Sequence, residues 1–214
     1  EIHVYPLDRN IIRADYMLKR WCEHLREQGR DQADPTTGEI FFEAAIDIVS
    51  RAAMLAVDGI LIISAMYVPL AVMRALRRLR CPVGLMLTES PYDIDQEIKW
   101  APLADVVWTN ERTSVEVLQQ ANERTYYLPA AYDPARHTSE PQAGDEGVLA
   151  HDVVFVGTGF PERVALLEAV DLTGIDLGRY GNWEVLKDDS PLRPFVRGGV
   201  IDNTQAAALY RRAK

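Results

Sequence analysis

The sequence predicts an α/β protein made of two Rossmann-like units, and three observations predict it. Short apolar, β-branched runs alternate with helical periodicity along most of the chain, the pattern of βαβ repeats that fold into a parallel, doubly wound sheet. Residues 134–150 break that alternation with Pro134, Pro141, Gly144 and Gly147 among polar residues, as a linker or exposed loop does. A second repeat then opens with HDVVFVGTGFPER, a strand that runs into a glycine turn and a helix start. The chain is thus read as a first unit over residues 1–133, a linker over 134–150 and the start of a second unit over 151–214.

The elements follow in order. Residues 2–7 form a short apolar run and are read as the first strand. Over residues 9–28, Ile12, Tyr16, Leu18, Trp21 and Leu25 recur at broadly helical spacing, and Gly29 stops the pattern. Asp34-Pro-Thr-Thr-Gly38 has the chemistry of a loop, and residues 41–57 are read as a second helix. Residues 59–65, GILIISA, are continuously apolar, as expected of a parallel strand buried on both faces. Pro69 suits the first turn of a helix over 70–79. Strands at 83–88, 105–109 and 125–128 alternate with helices at 94–103 and 112–121. The second unit shows strands at 152–156 and 175–180, a short one at 199–201, and helices at 161–170 and from 204 onward. In such sheets ligands are expected at the carboxyl ends of the strands.

The ends of the chain read either as a terminal helix that simply stops or, the favoured expectation, as a piece of a longer polypeptide. The first residues enter a strand with no turn before it, and TQAAALYRRAK runs as a helix with no C-cap glycine after it. With about three strands, the second unit reads as the beginning of a domain in a longer polypeptide.

The composition narrows the function classes. The net charge of −9 argues against a nucleic-acid binder, which gains affinity from clustered Lys and Arg. A small anionic ligand remains compatible, because a few amides and one arginine can hold it. Cys22 and Cys81 read as reduced thiols of a cytoplasmic protein, and neither they nor the four histidines show metal-ligand spacing. The longest apolar stretch is too short for a bilayer span, which needs roughly 20 residues.

Three clusters are candidates for chemistry. In the first, Gly157-Thr158-Gly159 follows a strand and precedes a helix at about Pro161. Glycines there let the backbone approach a bound group, and the helix start aims free amides and a positive dipole at it, which suits a phosphate. Glu162 occupies the place of a third glycine, so a dinucleotide fingerprint is not completed. The turn reads equally as a ligand loop or an ordinary tight turn. Arg163 reads as a phosphate contact or as a partner of Glu162 or Glu168.

The second cluster is IDLGRYGNW, where Tyr180, Gly181 and Trp183 fall at a strand end. An aromatic there can stack on a nucleobase, or the two rings can simply pack the core. The third is LTESPYDID. Glu89 or Asp93, at a carboxyl strand end, can take a proton from a hydroxyl, while Ser90 or Asp93 can instead cap the next helix. Of the rest, Asp8-Arg9-Asn10 follows the first run and reads as cleft lining or as a turn and cap. Arg74, Arg77, Arg78 and Arg80 read as a solvated helix face, and His137 and His151 are expected to be exposed.

The segments TESPYD, ADVVWTNERTSVEVL, YYLPAAYDPARH, DVVFVGTGFPERVALLEAV and LGRYGNW together resemble the spore-maturation-type (CgeB-like) glycosyltransferases in order and spacing, from about residue 59 to the end. YLPAAYDP and VFVGTGFPER are the most distinctive. The resemblance implies a GT-B architecture of two Rossmann-like domains facing each other across a cleft. It further implies metal-independent transfer of a sugar, without cofactor, from a nucleotide-sugar such as a UDP- or GDP-sugar to an acceptor that is a glycan, a protein or a small molecule. By the same resemblance Gly157, Thr158, Gly159 and Arg163 lie against the donor phosphates, Tyr180, Gly181 and Trp183 toward the nucleotide, and Glu89 and Asp93 toward the acceptor. The family continues past this point into the segment that grips the donor's ribose and sugar, so negligible transfer is expected from these 214 residues alone. The competing readings are a non-catalytic Rossmann-type nucleotide binder and an assembly protein in which the glycine turn is only a turn.

Overall fold

The computed structural model describes residues 1–214. The chain divides into two compact units, Glu1–Ala130 and Ala131–Lys214. Each has its own parallel sheet.

The first unit begins with helix and not with a strand. Residues 1–6 join no sheet, Ile2 and Val4 lie in solvent, and the Tyr5 hydroxyl donates to the Ala44 carbonyl at 2.7 Å. Asp8-Arg9-Asn10, expected just after a strand, occupies the first turn of α1 (Leu7–Glu27). Gly29 ends α1 as its position suggested, taking φ +77° in a conformation that disfavours other residues. The expected single helix over 41–57 is two helices, α2 (Thr37–Ala45) and α3 (Asp47–Leu55). α2 starts inside the stretch read as a loop because Thr36 and Glu39 form a reciprocal capping box there.

Four strands follow: β1 (Ile60–Ile63), β2 (Val83–Leu87), β3 (Val106–Thr109) and β4 (Thr125–Tyr127). Between them run α4 (Leu70–Arg77), α5 (Ile94–Trp100) and α6 (Val115–Gln119). All pairings are parallel and the order is β1-β2-β3-β4. The sheet is parallel as expected but not doubly wound, since its order never reverses and no switch point arises within it. β2 is the central strand, with Val83, Leu85 and Leu87 buried beside Val107 of β3. These pack with Val72, Met73 and Leu76 of α4 and with Leu118 of α6 in one apolar core. β1 departs from its expected double-faced burial. It is the edge strand, and Leu61 and Ile63 are exposed while Ile60 and Ile62 face the core.

The second unit holds β5 (Val153–Val156), α7 (Pro161–Glu168), β6 (Leu177–Tyr180), β7 (Val196–Gly198) and α8 (Asn203–Arg212). Its three strands are parallel in the order β5-β6-β7. β7 lies just before residues 199–201, where the short strand was expected, and α8 starts from a capping box between Asp202 and Gln205. The apolar core is small: Trp183, Leu186 and Leu192, flanked by Phe155, Val164, Leu167, Leu172 and Phe195. Residues 134–150 are tied into this unit. Asp145 accepts two hydrogen bonds of 2.8 Å from the Nε and Nη2 of Arg211 in α8, and both side chains are buried. No helix is long and apolar enough to cross a membrane.

Candidate functional site

The carboxyl ends of β5, β6 and β7 meet at the glycine turn of the second unit. Gly157 and Gly159 do not offer their amides to a ligand. The Gly157 N–H donates to the Tyr180 carbonyl at 2.9 Å, and the Gly159 N–H donates to the Asn182 carbonyl at 2.8 Å. The glycines instead make room. A methyl at Gly159 would enter the ring of Trp183, and one at Gly181, where φ is +118°, would strike the backbone of Gly157. Three glycines therefore let two strand ends and an indole close against one another.

What the turn leaves open lies one step further on. The amides of Thr158, Glu162 and Arg163 have no acceptor. Glu162 and Arg163 are in the first turn of α7, directly after Pro161, where such donors have no partner within the helix and the dipole favours an anion. Arg163 is exposed and pairs with neither Glu162 nor Glu168. Its Nη1 donates to the Thr158 carbonyl at 2.9 Å, and its guanidinium lies 4.9 Å from the ring centre of Phe160. It is held beside the open amides with donors to spare.

Next to the turn is a hollow of about 470 Å³, lined among others by Gly181, Asn182, Trp183, Arg193 and Gly198. Asn182 joins it to the turn through the Gly159 hydrogen bond. Tyr180 and Trp183 correct the stacking expectation, because both rings are buried. The Tyr180 hydroxyl bonds to His151 Nε2 at 2.9 Å, and Trp183 packs edge-on to Phe155 with its Nε1 donating to the Tyr180 carbonyl. They shape the hollow and turn no free ring face toward a base.

His151, expected to be exposed, is also buried. Its Nδ1 lies 2.8 Å from Asp176, which in turn accepts from Arg197 at 2.9 Å. The hydrogen bond from His151, then that from Arg197, holds the Asp176 carboxyl below its usual pKa. Gly178 leaves the space over β6 in which the imidazole sits.

Arg179 passed unmarked within LGRYGNW. It is fully buried and lies 4.2 Å from the ring centre of Trp183, and it donates through Nη2 to the Leu192 carbonyl. Its Nε and Nη1 have no partner, and desolvation pushes its pKa below the usual value. The only signal in the sequence is its place between Leu177 and Tyr180 in a buried strand.

In the first unit, Glu89 and Asp93 stand just beyond the carboxyl end of β2. Glu89 is half-buried and accepts hydrogen bonds from Thr88 Oγ1 at 2.8 Å and Ser64 Oγ at 3.2 Å. Ser64 reaches it from the end of β1 with φ 56°. Asp93 is at the N-cap position of α5, but its side chain makes no capping bond, so it does not act as the expected cap. Ser90 does not cap either. Its hydroxyl bonds to Glu97 and accepts from Thr109 Oγ1 at 3.0 Å.

Glu97 went unnoticed, and it is the most buried acid of the group. Desolvation raises its pKa, the Ser90 hydrogen bond opposes this, and the charges of Asp93 and Glu89 add to the rise. Its Oε1 has no partner, as suits a carboxyl that holds its proton. The signal was its place on the apolar stripe Ile94, Glu97, Ile98, Ala101. The structure thus gathers Glu89, Asp93 and Glu97 at one sheet edge, and Gly157, Thr158, Gly159, Arg163, Gly181 and Trp183 at another.

No protein-family model matches the chain. Part of the chain is similar to the Spore protein CgeB of Bacillus subtilis (strain 168), with 31% identity over 114 residues. The match covers 50% of this chain and 35% of that protein, so it spans about a third of the relative's length. The chain is thereby related to CgeB-like proteins over half of its residues.

Proposed function

We propose that the protein is a metal-independent, nucleotide-sugar-dependent glycosyltransferase of the GT-B class, or the part of one that starts the donor site. The observation that carries the reading is the first turn of α7. The amides of Glu162 and Arg163 are open at a helix start, and the Arg163 guanidinium is fixed on the Thr158 carbonyl of the glycine turn that Asn182 also holds. That arrangement suits a diphosphate, whose charge grows as the bond from the sugar's anomeric carbon to the phosphate oxygen breaks. The acceptor oxygen forms the new bond to that carbon and releases a proton. Within the first unit, Glu89, which accepts from Thr88 and Ser64, is the carboxylate put forward as a base for an acceptor hydroxyl, with Asp93 as the alternative. The partial similarity to a CgeB protein supports the reading without reaching the chemistry.

A non-catalytic nucleotide binder is the second reading, because the open α7 amides and Arg163 suit a diphosphate whether or not transfer follows. Calorimetric titration of the chain with UDP, GDP and their sugars tests both. Binding that weakens about tenfold or more in Arg163→Ala is the expected result. Absence of binding to every nucleotide overturns both readings. Nucleotide binding without preference for any sugar form favours the second.

A further inference from the structure

We infer a second anion site, in the first unit, at the end of the sheet opposite to Glu89. It is independent of the donor-site reading. A hollow of about 420 Å³ lies where β2, β3 and β4 begin, lined by Arg77, Arg80, Cys81, Asp105 and Arg124 among others. The three arginines arrive from three places: the last turn of α4, the loop before β2 and the residue before β4. Arg74 and Arg78 do not line the hollow, so the run read as one solvated face is split between two environments.

The hollow is positive within an acidic chain. Asp105 is its one acid, and that carboxylate is already engaged. It accepts from the Val83 N–H at 2.7 Å through Oδ2, and its Oδ1 lies 3.6 Å from Arg77. The guanidinium groups of Arg80 and Arg124 make no ion pair and no hydrogen bond. Two forks of donors thus face a concave space with nothing to bind.

Arg80 adds a second observation. It lies three residues past the end of α4 at φ 58°, a left-handed conformation that glycine adopts most readily. An arginine there carries backbone strain that glycine would relieve. A guanidinium fork matches the oxygens of a phosphate, and the hollow is of a size that holds a small molecule. The ligand class is therefore a small phosphorylated molecule.

The test is calorimetric titration of the whole chain with inorganic pyrophosphate, with citrate as the carboxylate comparison. Arg80→Gly and Arg124→Gln are each expected to weaken pyrophosphate binding about tenfold or more. Arg80→Gly is also expected to leave the melting temperature unchanged or raised, so that loss of binding is not loss of fold. Arg163→Ala, in the other unit, is expected to leave this site's binding intact. No pyrophosphate binding, binding indifferent to both arginine variants, or binding abolished by Arg163→Ala alone overturns the inference. Citrate binding in preference to pyrophosphate overturns the phosphate assignment.

Discussion

The two sheets are both parallel, yet they are filled in different ways. The first is sealed by aliphatic side chains on β2 and β3, and its buried acid, Glu97, sits at the carboxyl edge. The second has a smaller apolar cluster, Trp183, Leu186 and Leu192, with Leu177 and Leu209 buried besides. Around them it buries an imidazole, a guanidinium and an ion pair. A unit with few residues cannot bury enough apolar area to leave its polar groups outside. The first sheet thus depends on apolar volume, and the second on polar partners and on glycine clearances.

The sharpest test of that contrast lies within the second unit. Arg211 and Arg179 are both buried, but only Arg211 has a carboxylate. Arg211→Leu strands Asp145 in the interior, and hydrogen-exchange protection in α8 is expected to fall about a hundredfold or more. Arg179→Met removes an unpaired charge while keeping an apolar stem, so protection in β6 is expected to stay level or rise. Equal losses would erase the distinction. The pair also sets an acid limit. The hydrogen bonds from Arg211 and then from the Gln142 N–H hold the Asp145 carboxyl at about 2. A depressed folded value stabilises above the ordinary carboxyl range. That contribution is lost as the pH falls from about 4 toward this value.

The contrast also explains what was legible in the sequence. In the first unit β2, β3 and α4 announced themselves by apolar runs and helical spacing, because apolar volume is what holds them. β1 was visible as a strand, but its edge position was not, since GILIISA carries no mark of what its outer face meets. The 2–7 run misled because a strand needs a partner and none is there. In the second unit the glycine turn is legible from its residues, but what its glycines make room for is not. The clearance they give Trp183 depends on a residue 24 positions beyond Gly159. The burial of His151 was hidden for a similar cause, because the space above Gly178 exists only once β5 and β6 pair.

Glycine substitution sharpens the comparison further. Gly159→Ala places a methyl in the Trp183 ring, and a cost of about 1–3 kcal/mol is expected in urea unfolding, with Trp183 displaced. Gly38→Ala, in α2 of the first unit, meets nothing within 4 Å and is expected to stabilise by about 0.5–1 kcal/mol. The same added atom then has opposite signs in the two units. A mild Gly159→Ala would mean that Trp183 can move aside and that the turn is not sterically fixed.

The smallest effect concerns the one acid that the first sheet buries. Glu97→Gln keeps the shape of the side chain and removes its titration. Because burial raises the folded pKa of Glu97 above its unfolded value near 4.3, folding takes up a proton between those two values. Wild-type stability is therefore fullest below that window and declines as the pH rises through it, while the Gln variant has no such decline at this position. Relative to wild type, Glu97→Gln is expected to gain stability progressively across the window, read from urea midpoints at a series of pH values. Parallel profiles would show that Glu97 is ionised despite its burial. Ser90, as its hydrogen-bond donor, would then be stabilising a charge at the edge where Glu89 and Asp93 already stand. A shifted profile instead shows that Glu97 keeps its proton, so that Ser90 bonds a neutral carboxyl at that edge.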